Sequence, residues 1–98
     1  MRFKLEFTDQ AKVDLQEFEN DNSKLKHLKS VRKCLGLMEQ NLRHPSLQTH
    51  QIFQYRGPNG EKVFESYPET RTPGAYRIFW YYGKKQGTII VTSIVKHP

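Results

Sequence analysis

The last third of the chain has the composition of two β-strands joined by a short basic turn. Aromatic and β-branched residues dominate residues 75–82 and 88–97, and residues 83–87 between them contain two glycines and two lysines. This pattern is typical of a hairpin. A hairpin would bring Arg77, on the first strand, and His97, near the end of the second, into one patch. This pair is therefore the leading candidate for a chemical site.

The start of the chain changes from a strand period to a helical one. Residues 3–7 alternate apolar and charged side chains, which predicts a half-buried strand. Thr8 can cap a helix that ends near residues 20–22, and its apolar positions recur at helical spacing: Ala11, Leu15 and Phe18.

A second helix is predicted after Ser23, which can serve as its N-cap, and Pro45 is predicted to end it. One apolar stripe runs along this helix: Leu25, Leu28, Val31, Leu35, Met38 and Leu42. Gly36 costs about 1 kcal/mol relative to alanine in a helix interior, so we expect it to mark a close approach to the first helix.

Strand-like segments follow at residues 52–56 and 62–67, around an Asn59-Gly60 pair that favours a hairpin, and residues 68–74 form a loop. The order is strand, two helices, then strands linked by short turns. It predicts a single α+β domain over residues 1–98, in which an αα-hairpin packs on one face of an antiparallel sheet. The other face is left for function.

Composition limits the class of protein. Ninety-eight residues suit one domain, and a single cysteine, Cys34, cannot form an intrachain disulfide, which indicates a reducing compartment. No apolar run approaches the roughly 20 residues that span a bilayer, and the N-terminus lacks the apolar core of a signal peptide. We therefore expect a soluble cytoplasmic protein without a membrane partner.

The net charge of +6 is unevenly distributed along the chain. Residues 1–21 carry three basic and six acidic side chains, and the remainder carries thirteen basic and four acidic ones. A basic body of this kind concentrates polyanions such as nucleic acid if its charges share a face. The alternative is a solvated surface that keeps the protein in solution.

Common site signatures are absent, including a glycine-rich phosphate loop, a GxSxG motif and paired cysteines. His44 and His50 have no metal-ligand spacing, so neither a metal nor a cofactor is expected. The remaining residue types suit phosphodiester chemistry: cations to hold phosphate, a histidine and a carboxylate to move protons, and aromatic rings on which bases stack. RNA supplies its own nucleophile, the 2′-hydroxyl.

Three residues are candidates for that chemistry, and each has a structural alternative. Arg77 is a permanent cation on an aromatic strand, so it binds either a phosphate or a carboxylate, such as Glu65 across the sheet. His97 is a natural acid or base, or else part of a frayed tail. Glu65 can pair with either residue, or can be an ordinary residue of the solvent face.

Aromatic and basic residues could extend this site. Phe79 and Tyr81 share the parity of Arg77, and Tyr81 is the candidate for stacking on a base, whereas the other aromatic residues of the strand have core parity. A rim of cations could hold phosphates, although each could equally be a solvated charge: Arg56, Lys62, Arg71, Lys84, Lys85 and Lys96.

Taken together, these features resemble the RelE/ParE superfamily of small bacterial toxins, particularly its mRNA-degrading members, over nearly the whole length. The resemblance lies in the order of elements and in four segments: His-Pro-Ser-Leu at 44–47, Val-Phe-Glu-Ser-Tyr at 63–67, Tyr-Arg-Ile at 76–78 and Ile-Val-Lys-His at 94–97.

The resemblance implies roles for single residues. In this family the arginine after the tyrosine of the Tyr-Arg pair contacts the scissile phosphate, which maps to Arg77. The end of the last strand supplies a proton donor, which maps to His97, and Glu65 is the candidate base. Two features depart from the pattern. The chain ends at Pro98 where many ribosome-dependent nucleases have a further tyrosine, whose catalytic role Tyr81 could take over, and the loop at 68–74 is longer, which leaves Arg71 without a counterpart.

Three functions stay open at this point. The leading hypothesis is a toxin that cleaves mRNA on the ribosome without a metal and is neutralised by a cognate antitoxin. The second is a ParE-like inhibitor of DNA gyrase, which needs no catalytic histidine. The third is a non-toxic relic or binding module. The oligomeric state is not predicted.

Overall fold

In the computed structural model, which describes residues 2–69 and 74–96, two helices lie on one face of a five-stranded sheet. The elements are β1 (Lys4–Phe7), α1 (Asp9–Glu19), α2 (Leu25–Gln40), β2 (His50–Arg56), β3 (Lys62–Ser66), β4 (Tyr76–Tyr82) and β5 (Thr88–Lys96). Short 3-10 turns precede α2 at Asn22–Lys24 and β2 at Pro45–Leu47. The predicted α+β class is confirmed.

The sheet has the order β1-β5-β4-β3-β2. Strands β2 to β5 are antiparallel, as predicted, whereas β1 joins the sheet parallel to β5, which makes the sheet mixed. Alternation in residues 3–7 correctly indicated which side chains are partly buried, but it carries no information about the partner strand or its direction. The register shifts at two places, one in β2 between Ile52 and Arg56 and one between β4 and β5 at Phe79/Trp80.

Helix α1 begins and ends where the sequence predicts. The hydroxyl of Thr8 accepts a hydrogen bond from the Ala11 N–H at 3.2 Å, and α1 ends at Glu19. Asp14, on the inner side of α1, accepts the backbone N–H of Ile94 at 2.9 Å and so ties the helix to β5.

The predicted start of α2 at a Ser23 cap is wrong. The Asp21 carboxylate accepts hydrogen bonds from the Ser23 N–H and hydroxyl at 2.9 and 2.6 Å, and the chain forms a 3-10 turn before α2 begins at Leu25. These bonds lower the pKa of Asp21. Aspartate is the better acceptor because its charge suits the helix N-terminus.

Two further expectations for α2 are also wrong. The helix ends at Gln40, and Pro45 instead opens the separate 3-10 turn before β2. A Cβ at Gly36 would meet no atom within 4 Å among the described residues, so this glycine does not mark a close approach to α1.

The core lies between the helices and the sheet. Its buried residues come from all layers: Ala11, Phe18, Leu28, Val31, Cys34, Leu35, Met38, Leu47, Ile78, Trp80, Ile89, Val91 and Ile94. Trp80 stacks on Phe64 at 4.8 Å between ring centroids. Burial raises the pKa of the Cys34 thiol to about 12. No helix in the described ranges is long and apolar enough to cross a membrane.

Candidate functional site

Arg77 lies on the open face of the sheet, the face without helices, because it alternates in β4 with the core residues Ile78 and Trp80. Its side chain is only 11% exposed. Nη1 donates hydrogen bonds to the backbone carbonyls of Tyr76 at 2.9 Å and Glu69 at 3.0 Å. The guanidinium carbon lies 3.9 Å from the centroid of the Tyr67 ring, a cation–π contact. The guanidinium is therefore held in a fixed orientation.

Glu65 on β3 is the charged partner of Arg77. Its Oε1 lies 3.2 Å from Arg77 Nε, and its side chain is 8% exposed. The contact is an ion pair without the angle of a hydrogen bond, so Arg77 Nε is a buried donor that has no hydrogen-bond acceptor among the described residues. The salt bridge considered as the structural alternative for Arg77 is thus present, and it leaves part of the guanidinium unsatisfied.

His50 stands opposite Glu65 on the neighbouring strand β2. Its Nε2 lies 3.6 Å from Glu65 Oε2 and 3.5 Å from the Tyr67 hydroxyl, and its Nδ1 lies 3.2 Å from the Gln48 carbonyl oxygen. A carbonyl and an ionised carboxylate both only accept, so a hydrogen on Nδ1 faces Gln48 and a hydrogen on Nε2 faces Glu65. The cluster thus contains an arginine, a carboxylate, a histidine and a tyrosine.

Glu69 holds this cluster from behind. While its carbonyl accepts from Arg77, its carboxylate lies 2.6 Å from Nδ1 of His27 on α2. The His27 ring in turn packs edge-on against Tyr76, at 5.0 Å between centroids. The residue therefore links the helix layer to the arginine on the opposite face of the sheet.

This architecture recurs in solved structures, although no protein-family profile and no curated protein matches the sequence. A YoeB/ParE toxin from Agrobacterium tumefaciens superposes with a TM-score of 0.70 and 8% identity, over 98% of this chain and 100% of that one. The chain has the RelE/ParE-like fold. YafQ from E. coli strain BL21(DE3) gives a TM-score of 0.65 at 10% identity, over 98% of this chain and 94% of that one.

The archaeal RelE-RelB complex from Pyrococcus horikoshii OT3 gives a TM-score of 0.64 at 11% identity, over 98% of this chain and 96% of that one. The resemblance to the RelE/ParE superfamily is therefore confirmed for the fold. Identities this low carry no information on the role of any single residue, so the roles of the cluster must be argued from its geometry.

Within the RelE/ParE-like fold, the predicted site residues separate into groups. Arg77 and Glu65 are in direct contact, and Lys96 lines the same cavity of about 230 Å³. Tyr81 lies farther along β4 on the open face, where burial and, to a smaller extent, Glu61 raise its pKa. His97 and Arg71 fall outside the described residues.

The remaining predicted cations are exposed at the other end of the sheet. Antiparallel pairing places the β2–β3 and β4–β5 turns together there, with Arg56, Lys62, Lys84 and Lys85. They do not surround Arg77, but they extend the basic surface along the same strands.

Sequence reasoning missed His50, Tyr67 and Glu69. His50 lies before the predicted start of β2, and the register shift within the β2–β3 pair prevents counting from the Asn59-Gly60 turn to its true partner. No three histidine, cysteine or acidic side chains in the described ranges lie close enough together to hold a metal ion.

Proposed function

We propose that this protein is the toxin of a type II toxin–antitoxin pair and that it cleaves mRNA on the ribosome by metal-independent acid–base catalysis. The observation that carries the proposal is Arg77, a nearly buried and rigidly held arginine that lines an open cavity, with a carboxylate and a histidine beside it. The positive charge of its guanidinium can bind a phosphate oxygen that enters this cavity.

Each step of RNA cleavage can be assigned to a residue at this site. The 2′-hydroxyl attacks the adjacent phosphorus, and its proton must be removed; the phosphorus then carries extra negative charge until the bond to the 5′-oxygen breaks. Arg77 stabilises that charge. Glu65, directly beside it, takes the proton or orients a histidine that does so.

The leaving 5′-oxygen needs a proton donor. His97 has this role by resemblance. His50 is a second histidine, with Nε2 directed to Glu65 and Tyr67, and it is placed to exchange protons with the same carboxylate. The proposal therefore names two histidines, and mutation of each can separate their contributions.

The proposed partners are a cognate antitoxin, mRNA and the ribosome, in the cytoplasm. The structural neighbours include RelE from P. horikoshii in complex with RelB and YafQ from E. coli in complex with DinJ. The basic body of this chain suits both an mRNA and an acidic antitoxin.

The test is induced expression in bacteria, with growth and primer extension on a reporter mRNA as readouts. Wild type should arrest growth and produce new mRNA 5′ ends, and Arg77→Ala/His97→Ala should do neither. Arg43→Ala, an exposed arginine outside the cluster, is the matched control and should behave as wild type. Arg77→Lys and a circular dichroism spectrum of each purified variant separate loss of catalysis from loss of folding.

Other outcomes would overturn the proposal. Growth arrest by both wild type and the double variant, without cleavage, would indicate another target such as DNA gyrase. Absence of arrest and of cleavage in the wild type would indicate a relic of the fold.

A further inference from the structure

A second cavity, of about 490 Å³, adjoins the one at Arg77 on the open face. Aromatic and aliphatic side chains form most of its walls: Tyr55, Val63, Phe79, Tyr81 and Val95. Tyr55, Phe79 and Val95 line both cavities, so the two form one groove. We infer that this groove is a subsite for one nucleobase of a bound RNA strand. Arg77 would hold a phosphate of the same strand, so the inference rests on the proposed function.

Tyr55 is the principal residue of this subsite. Its side chain is 57% exposed, on an edge strand, and its ring meets that of Phe79 edge-to-face at 6.0 Å and 85°. The plane of the Tyr55 ring is therefore nearly perpendicular to the plane of the Phe79 ring. Tyr55 lies within the register shift of β2 between Ile52 and Arg56, where side chains depart from regular alternation.

The charges along the groove select a nucleotide strand over an uncharged aromatic ligand. Described residues lining the two cavities include three cations, Arg77 and Lys96 at one end and Arg56 towards the other. The one carboxylate among them, Glu65, is paired with Arg77. An occupant that fits has a flat ring in the middle and negative charges on both sides, which describes a base with its flanking phosphates.

The distances along β4 agree with this placement. Arg77 and Phe79 are two residues apart, so their Cα atoms are separated by about 7 Å, and their side chains point to the same face. A base against Phe79 and Tyr55 therefore belongs to a nucleotide next to the phosphate at Arg77. Stacking on aromatic side chains is worth about 1–3 kcal/mol per base and tolerates any base.

The test uses a short single-stranded RNA that carries 2-aminopurine next to a 2′-O-methyl nucleotide, which blocks cleavage. It is offered free and also in the decoding site of a programmed ribosome. Wild type and Tyr55→Phe should bind it and quench its fluorescence, because both keep a ring at position 55. Tyr55→Ala should lose the quenching and bind about tenfold more weakly.

Phe53→Ala is the matched control, because Phe53 is an aromatic residue of the same strand, 72% exposed, that lines neither cavity. Binding and quenching by Tyr55→Ala at the wild-type level would overturn the inference. If binding depended on Arg77 but not on Tyr55, the proposed function would stand and the base subsite would fall. If wild type bound RNA in neither form, both would fall.

Discussion

The two faces of the sheet are built from the same strands and differ in what they bury. The helix face buries apolar side chains around Trp80, whose Nε1 donates to the Ser66 hydroxyl at 2.9 Å, so its one polar group is satisfied. The open face buries an ion pair, Arg77 with Glu65, next to cavities that are open to solvent. A shift of one residue along β4 thus separates a packed core from a charged site, which the fold can maintain because side chains alternate across a strand.

The largest expected effect is a loss of stability from a substitution on the helix face. Trp80→Ala should lower the free energy of unfolding by about 3–5 kcal/mol, because it removes a buried ring and the hydrogen bond from its Nε1 to the Ser66 hydroxyl. Urea denaturation measures the change. Tyr82→Ala, a half-exposed aromatic of the same strand that packs on the edge of Trp80, should cost clearly less, and an equal loss in both variants would contradict a core centred on Trp80.

The open face should respond to charge instead of volume. Glu65→Gln keeps the shape but leaves Arg77 buried without its counter-charge, and should destabilise by about 3 kcal/mol. Glu65→Leu/Arg77→Met removes both charges and should recover most of that loss in urea denaturation. Failure of the double variant to recover would show that the polar contacts of Arg77 to the backbone, and not the ion pair, stabilise this face.

The exclusion of water from the core beneath the helices can be measured through Cys34, because burial raises the pKa of its thiol from 9.0 to about 12. Between these values only the unfolded chain loses the thiol proton, so stability falls as the pH rises. The loss should reach about 1.4 kcal/mol between pH 8 and pH 10. Subtracting the same measurement on Cys34→Ala removes the contribution of other titrating groups, and parallel pH curves for the two proteins would show that water reaches the thiol.

The smallest effect is expected at the aromatic wall of the groove. Tyr55→Ala should change the free energy of unfolding by less than about 0.5 kcal/mol, because the side chain is mostly exposed. Thermal unfolding of the purified variant checks this. A large destabilisation would mean that Tyr55 belongs to the packing of the sheet and would weaken its assignment to RNA.

The contrast between the faces was only partly predictable from the sequence. Alternation in residues 75–82 correctly assigned Trp80 to the core and Arg77 to the other face, and Thr8 correctly marked the start of α1. These signals are local, since they depend on residues within one strand or one turn.

The features that could not be predicted from the sequence depend on pairing between segments that are distant along the chain. The parallel pairing of β1 with β5 and the register shift that sets His50 opposite Glu65 leave no local pattern. Glu69 was equally hidden, because a loop residue offers no period to follow. The Arg77–Glu65 contact was foreseen as an alternative, but the cavity beside this pair is visible only in three dimensions.

Glu69 has a consequence for how such a site could be controlled. The Glu69 side chain contacts His27 on α2, and the Glu69 backbone carbonyl accepts a hydrogen bond from Arg77. A change on the helix face can therefore be transmitted to the open face through this single residue. A molecule that displaced His27 from Glu69 would remove one restraint on Glu69, whose backbone carbonyl accepts a hydrogen bond from Arg77. Arg77 would then lose its fixed orientation through an event on the helix face, without any molecule occupying the groove on the open face.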